Sequence, residues 1–166
     1  MIAAPVAVPT VIETVEAAIV AHLKAKLGPA PRIEPFPDDP AAFDLASTER
    51  AVLVHYTGSR FEAAEGVGGG AQVRRPSFAV HVYVRSLRGE GGGYRLLEDV
   101  RLALQAMPAT GDSSAGHGLA IVRDELVEQD GGLWHWLLEV RALVRSVPRR
   151  PMTPAPMVTG FQRGTP

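Results

Sequence analysis

The distribution of prolines constrains this chain more than any other feature of its sequence. Proline lacks a backbone N–H, so it is disfavoured in the interior of a helix and in a central strand. Of the 14 prolines in the chain, twelve lie in three clusters, before residue 10, between residues 28 and 40, and after residue 147. We therefore expect the regular structure to lie between these clusters.

The composition is that of one ordinary globular domain. The chain has 166 residues, of which 46% are apolar and 21% are charged, and a chain of this length buries about two thirds of its extended surface. It has no cysteine, which excludes disulfides, cysteine-ligated metals and thiol catalysis. Its 17 basic and 18 acidic residues argue against a dominant or sequence-specific nucleic-acid surface.

The sequence also argues against membrane insertion and secretion. No stretch approaches the roughly 18 apolar residues that a membrane helix requires. The apolar segment 1–8 contains Pro5 and has no positively charged start, so it is not typical of a signal peptide. We expect the protein to act in a cytoplasm or in a particle assembled there.

Two segments have apolar residues at helical spacing. Thr10 and Glu13 form a capping-box pattern, which predicts a helix over residues 11–27. A second apolar stripe runs from residue 94 to residue 107, where Pro108 follows it and ends the predicted helix.

Four segments are typical of strands. Residues 51–57 are rich in β-branched and aromatic side chains, and residues 76–86 alternate strictly between apolar and other residues. Residues 119–129 and 133–145 are joined by Asp-Gly-Gly, a strong hairpin signal. The alternation places one set of side chains in the core and the other on the opposite face: Ala79, His81, Tyr83 and Arg85 in one strand, and His135, Glu139, Arg141 and Arg145 in the last.

These elements predict an α+β fold in the order α-β-β-α-β-β. We expect a mostly antiparallel four-stranded sheet with two helices packed on one face. Residues 28–50 are interpreted as a long loop with one helical turn near residues 40–45, and the glycine-rich residues 59–75 as a mobile excursion between two strands. The single domain should span residues 10–145, between an N-terminal extension (1–9) and a proline-rich tail (146–166).

No combination of residues gives a convincing catalytic, cofactor or metal site. His55 and His81 could meet on adjacent strands, but the strands offer no acidic partner for a metal. Residues 111–115 are one residue short of a nucleophile elbow and lie in a polar loop after a helix. Residues 89–93 occupy the position of a phosphate loop, but they lack a Lys-Ser/Thr pair and include Glu90. We expect a structural protein that needs no cofactor.

The order of several short motifs resembles a known family. Tyr56-Thr57-Gly58-Ser59-Arg60-Phe61 leads to Gln72-Val73-Arg74-Arg75 and the alternating strand. A helix then opens with Gly93-Tyr94-Arg95-Leu96-Leu97-Glu98, and Trp134-His135-Trp136 lies in the last strand. Over residues 10–145 this arrangement is similar to the Gp37-type proteins of Mu-like phages and, through them, to the tail terminators of long-tailed phages.

The resemblance implies a structural role in a virion. Tail terminators have an α+β fold and form a hexameric ring at the head-proximal end of the tail. There they stop polymerisation of the tube and, in contractile tails, of the sheath, and they present a surface to the head. The implied partners are further copies of this chain, the tube and sheath proteins, and the connector or stopper protein.

We expect the contacts with partners to use the projecting loop and the polar face of the sheet. Arg60, Arg74 and Arg75 should pair with acidic groups of the tube or sheath. The candidate interface residues are Arg60, Phe61, Arg74, Arg75, Tyr83, Arg85, Glu139 and Arg141.

Two other functions fit the same sequence. One is another head-tail joining component, a stopper or connector-completion protein, which would share the ring symmetry and differ in location. The other is a small ligand-binding module or enzyme that uses the turn at residues 89–93.

Overall fold

The computed structural model describes residues 8–39, 44, 48–63, 72–108 and 118–146. Several predicted features lie wholly or mostly outside them: the N-terminal extension to residue 7, the helical turn near residues 40–45, the glycines at 66–70, the 111–115 motif and the tail from residue 147. The elements in chain order are α1 (Val11–Leu27), β1 (Arg32–Pro35), β2 (Arg50–Phe61), β3 (Gln72–Val84), α2 (Gly93–Gln105), β4 (Ala120–Asp130), β5 (Leu133–Arg141) and β6 (Val144–Ser146).

The six described strands form one mixed sheet with the order β1-β2-β3-β5-β4. β1 pairs with β2 in parallel, and the other pairs are antiparallel. The short strand β6 lies beside the first residues of β3. β3 therefore has a strand on each side along most of its length.

The α+β class and the two helices agree with the sequence prediction. The predicted four-stranded antiparallel sheet, however, lacked the parallel strand β1 and did not separate β6 from β5. β1 lies in the segment interpreted as a loop, where it pairs with residues 51–54 and buries Ile33 in the core. Its four residues are too few to show a periodic pattern, and the prolines around it indicate a loop. The last predicted strand is in fact two, because the chain leaves the ladder between β5 and β6.

The predicted loop at residues 59–75 is also shorter than expected. β2 continues to Phe61 and β3 begins at Gln72, and these ends pair with each other. Gly58 carries β2 past the expected end of the strand, since it lies at a β-bulge with a φ of +151°. The carbonyl of Pro76 accepts a hydrogen bond from the N–H of Ala142, at the break between β5 and β6. The missing N–H of the proline therefore faces a place where the ladder is interrupted, so Pro76 is tolerated within β3.

The core lies between the helices and one face of the sheet. As the alternation predicts, Phe78, Val80, Val82 and Val84 of β3 are all fully buried. They pack with buried residues of both helices, including Ile19, Leu23, Val100 and Leu104. Full burial of each such side chain stabilises the fold by roughly 1.5–3 kcal/mol, so this face of β3 anchors both helices.

The helix starts are fixed in two different ways. At α1, Thr10 accepts a hydrogen bond from the backbone N–H of Glu13, and the Glu13 side chain accepts one from Thr10 in return, as the capping box predicts. At α2, Gly93 packs so closely against the sheet that a Cβ atom would lie 2.7 Å from Val84 Cγ2 and 2.9 Å from Trp136 Cζ3. The backbone of α2 can approach the sheet here only because this residue is glycine.

This contact predicts different effects for two neighbouring glycines. Gly93→Ala should lower the free energy of unfolding by about 1–3 kcal/mol, because a methyl group is forced into a packed core. Gly91→Ala is the matched control, since its Cβ would lie 3.6 Å from the Arg50 side chain, and it should change stability by less than about 0.5 kcal/mol. Urea unfolding measures both variants, and equal stability of the two would contradict the packing argument.

Candidate functional site

The two faces of the sheet differ in what covers them. The face opposite the helices, here called the outer face, carries the side chains that alternate with the core residues. Two cross-strand pairs on this face join β2 and β3, namely His55 with Ala79 and Leu53 with His81. A third pair, Tyr83 with His135, joins β3 and β5. A small apolar cluster of Ala51, Leu53 and Tyr83, with Phe36 and Leu133 packed against it, lies at one end.

Three histidines form a ladder across β2, β3 and β5. His81 Nε2 lies 3.2 Å from His55 Nδ1, and His81 Nδ1 lies 2.8 Å from His135 Nε2. The rings stack with centroids 5.0 Å apart in both pairs, and Phe36 packs 5.1 Å from His81. The sequence predicted the meeting of His55 and His81; the third member, His135, was assigned to the right face but not to this contact.

The ladder is built for neutral imidazoles. A neutral ring has one donor and one acceptor nitrogen, so His81 can donate to one neighbour and accept from the other. A second proton on His81 would turn its accepting nitrogen into a donor, so the neighbour that donates to it would have to change tautomer. Burial, together with the nearby His135 and His55, lowers the pKa of His81 to about 4. Burial also lowers the pKa of both neighbours, an effect that Glu128 opposes at His135.

Tyr83 completes this aromatic surface. Its ring stacks on His135 with centroids 4.3 Å apart and is only 9% exposed. Burial raises the pKa of its hydroxyl, and the charge of Glu128 adds to the effect. The structure therefore uses Tyr83 largely in packing within the chain, and its role as a contact residue stays a prediction.

The other end of the outer face is charged. Arg141 lies 3.0 Å from Glu139, and Arg123 of the neighbouring strand lies 3.2 Å from the same carboxylate. Burial opposes ionisation of Glu139, but the hydrogen bonds from Arg141 and Arg123 outweigh it and lower its pKa. With Arg60 and Ser77, these residues line a groove of about 340 Å³.

Four predicted interface residues lie together where β2 and β3 project beyond β5. Arg60 pairs in register with Arg75, and Phe61 with Arg74. Arg74 Nε donates to Ser59 Oγ at 2.8 Å, and its guanidinium lies 5.5 Å from the centre of the Phe61 ring. Arg75 forms an exposed ion pair with Glu62 at 2.5 Å.

Arg85 lies apart from the other predicted residues. It is exposed just beyond β3, beside Glu49, Arg50 and Gly91, in a groove of about 280 Å³. The eight predicted positions thus fall into four places: the projecting ends of β2 and β3, the Glu139–Arg141 pair, the histidine ladder and this separate groove.

The glycine turn before α2 is occupied by its own backbone contacts. The N–H of Gly93 donates to the Ser86 carbonyl at 2.7 Å, and the N–H of Tyr94 donates to that of Leu87 at 3.2 Å. These are the donors that a phosphate-binding helix start would offer to a ligand. Because these N–H groups already donate to backbone carbonyls, they are not available to bind a phosphate.

Neither a metal cluster nor a membrane span is found in the described part of the chain. No group of three or more His, Cys, Asp and Glu side chains there has an arrangement that could hold a metal ion. None of the described helices is long and apolar enough to cross a membrane.

Sequence reasoning missed Arg123 and Phe36 as members of the outer face. Arg123 follows a β-bulge after Ile121, which shifts the alternation that would have placed it. Phe36 follows the unpredicted strand β1. Arg123 was missed because the bulge breaks the regular alternation, and Phe36 was missed because the four residues of β1 are too few to show one.

Together these features define a small α+β domain with helices on one face of a sheet and an aromatic and charged surface on the other. The family model described as Gp37 protein matches residues 19–162. The chain therefore belongs to the Gp37 protein family.

The chain is also similar to chains of solved structures. A chain of the solved structure "Virion of native gene transfer agent (GTA) particle" aligns with a TM-score of 0.46 and 16% sequence identity, over 80% of this chain and 96% of that one. No curated protein matches this chain.

The histidine ladder predicts how stability depends on pH. The pKa of His81 is lower in the folded chain than the 6.5 of an ordinary histidine, so the unfolded chain binds more protons between about pH 6.5 and pH 4. The free energy of unfolding should therefore fall as the pH falls through this window. His81→Phe keeps a ring in the ladder but removes the titrating group, so its stability should fall less between pH 7 and pH 5.

Urea unfolding at the two pH values tests this. Tyr83→Phe is the matched control, because it keeps all three histidines and should show the pH dependence of the unchanged protein. An identical pH dependence in His81→Phe would contradict the role given to the ladder.

Proposed function

We propose that this protein is a structural component of a phage-type virion and acts as a tail terminator. In this role it forms a ring, expected to be a homohexamer, at the head-proximal end of the tail. The ring stops polymerisation of the tube and sheath and offers a surface to the connector or stopper protein of the head. The protein would be assembled into the particle in the cytoplasm of the bacterial host.

The observation that carries this proposal is the Gp37 family match. It spans residues 19–162 and so includes most of α1, all of the described sheet and α2. The order of motifs from Tyr56 to Trp136 supports the same family through its resemblance to tail terminators.

The geometry supports a subunit that makes several different contacts. A ring subunit needs two unlike surfaces for its neighbours and further surfaces for the structures above and below. The helices cover one face of the sheet. The outer face, the projecting ends of β2 and β3, and the edge strand β4 are separate surfaces that different partners could use.

The projecting ends of β2 and β3 fit a contact with acidic groups of the tube or sheath. The Arg75–Glu62 pair has nearly half of each side chain exposed, and exposed pairs of this kind contribute about 0–1 kcal/mol. Such a pair can exchange Glu62 for a partner carboxylate at little cost. Arg74 lies beside it, oriented by Ser59 and Tyr56.

Charge reversal at Arg75 tests this contact. Arg75→Glu should lower the yield of complete particles by about tenfold, because it places like charges across the joint. Glu62→Gln is the matched control: it removes the same ion pair but keeps Arg75, so the yield should be unchanged. Unchanged yield with Arg75→Glu would contradict the contact.

Deletion of the gene from the producing phage or prophage tests the function itself. Loss of a terminator leaves polymerisation unchecked, so negative-stain images should show tails of abnormal length without heads. Loss of a stopper would instead give tails of normal length beside leaking heads, and this result would overturn the terminator role in favour of the stopper. Normal, joined particles would contradict both roles.

A further inference from the structure

We infer that copies of this chain join edge to edge, with β4 of one copy pairing with the free end of β2 in the next. The inference deepens the proposed function, since it names the two surfaces that would close a ring. It rests on the chemistry of two strand edges that the described sheet leaves open.

The first open edge is β4. It is the outermost strand of the sheet, and ten of its eleven residues are exposed. Its exposed apolar side chains are large: Val122 is 40% exposed, Leu126 51% and Val127 50%. An edge strand has unpaired N–H and C=O groups that can pair with another chain, and exposed apolar residues beside it favour contact with a partner.

The second open edge is the end of β2. β1 pairs only with residues 51–54, and the backbone of Tyr56 donates a hydrogen bond to Glu16. Beyond that point, residues 57–61 have no strand beside them on this side within the described ranges. Phe61 is 54% exposed here.

The charges of the two edges are opposite. β4 contains one basic residue and four acidic residues, Asp124, Glu125, Glu128 and Asp130. The end of β2 carries Arg60, beside Arg75 of β3, whose charge is paired with that of Glu62. Pairing β4 with β4 would bring two acidic edges together, and pairing β2 with β2 would bring two basic edges together. Charge therefore favours the unlike pairing.

The faces of the two edges also match. In β4, Glu128 lies on the outer face opposite His135, whereas Leu126 lies on the helix side opposite Trp136. In β2, Arg60 pairs with Arg75 of β3 and therefore lies on the outer face. Phe61 pairs with Arg74 of β3 and therefore lies on the helix side. A continuous sheet would thus pair acid with base on one face and apolar with apolar on the other.

The strand directions complete the match. β2 and β4 run in opposite directions, because three antiparallel steps separate them. Rotation about an axis along the strands keeps these directions, so the contact between copies would be an antiparallel pair. A contact between two unlike surfaces repeats around such an axis and generates a ring when the rotation closes.

Charge exchange between copies tests the inference with purified protein. Arg60→Glu and Glu128→Arg should each weaken self-association by at least about tenfold, measured by light scattering over a concentration series. An equal mixture of the two variants should restore it, because each variant then meets the complementary edge of the other. Glu90→Arg, a charge reversal on the turn before α2, is the control and should associate normally. Weakening that the mixture does not restore would overturn the inference.

The absence of cysteine from the chain allows a second measurement that also detects weak association. Phe61→Cys combined with Leu126→Cys, the two apolar positions matched on the helix side, should give a ladder of disulfide-linked chains under mild oxidation at high protein concentration. Phe61→Cys combined with Leu102→Cys on α2 is the control and should give none. No ladder with the first pair, or full dimerisation of the single Leu126→Cys variant, would overturn the inference.

These outcomes are independent of the gene deletion. If the edges do not pair but the deletion still gives tails of abnormal length, the terminator role stands and the ring closes through other surfaces. If the edges pair but the deletion leaves particles normal, the self-association is real and the proposed function is wrong.

Discussion

The burial of β3 is the constraint on which the rest of the structure depends. Its core face is a continuous row of fully buried side chains, Phe78, Val80, Val82 and Val84, and β2 and β5 pair along both of its sides. Both helices pack on this face. The opposite face is consequently left for His81 and Tyr83, and the ends of β2 and β3 extend past β5 with the arginines that we propose for docking.

Regular alternation and capping made the central elements predictable from sequence. The strict pattern from Phe78 to Arg85 gave the core face of β3, and Thr10 with Glu13 gave the start of α1, which begins at Val11. The Asp-Gly-Gly turn gave the hairpin of β4 and β5, in which Gly131 and Gly132 have positive φ angles. In each case the signal comes from a few neighbouring residues and does not depend on distant parts of the chain.

Elements that depend on distant partners were harder to predict. β1 exists because residues 51–54 lie beside it, and its own four residues, including Pro35, carry no strand signal. Gly58 and Pro76 are residue types that usually end a strand. The strands β2 and β3 nevertheless continue past them, because the residues beyond pair with each other. The histidine ladder needed the register of three strands, and only the pair His55 and His81 could be expected from adjacent strands.

The outer face combines two environments that suit an assembling protein. At one end, neutral histidines, Tyr83 and Phe36 form a stacked surface whose central member resists protonation. At the other, Glu139 is held ionised by two arginines. The sheet thus offers both apolar and charged contacts, and the open edges of β4 and β2 are the surfaces that we propose for pairing with neighbouring copies.

Electron cryomicroscopy of purified particles that carry this protein tests the central claim most directly. The account predicts a ring of density at the junction of tail and head, in which each subunit fits the six-stranded sheet with α1 and α2 on one face. Particles in which this chain is missing from that junction, or in which it occupies another part of the tail, would contradict the claim.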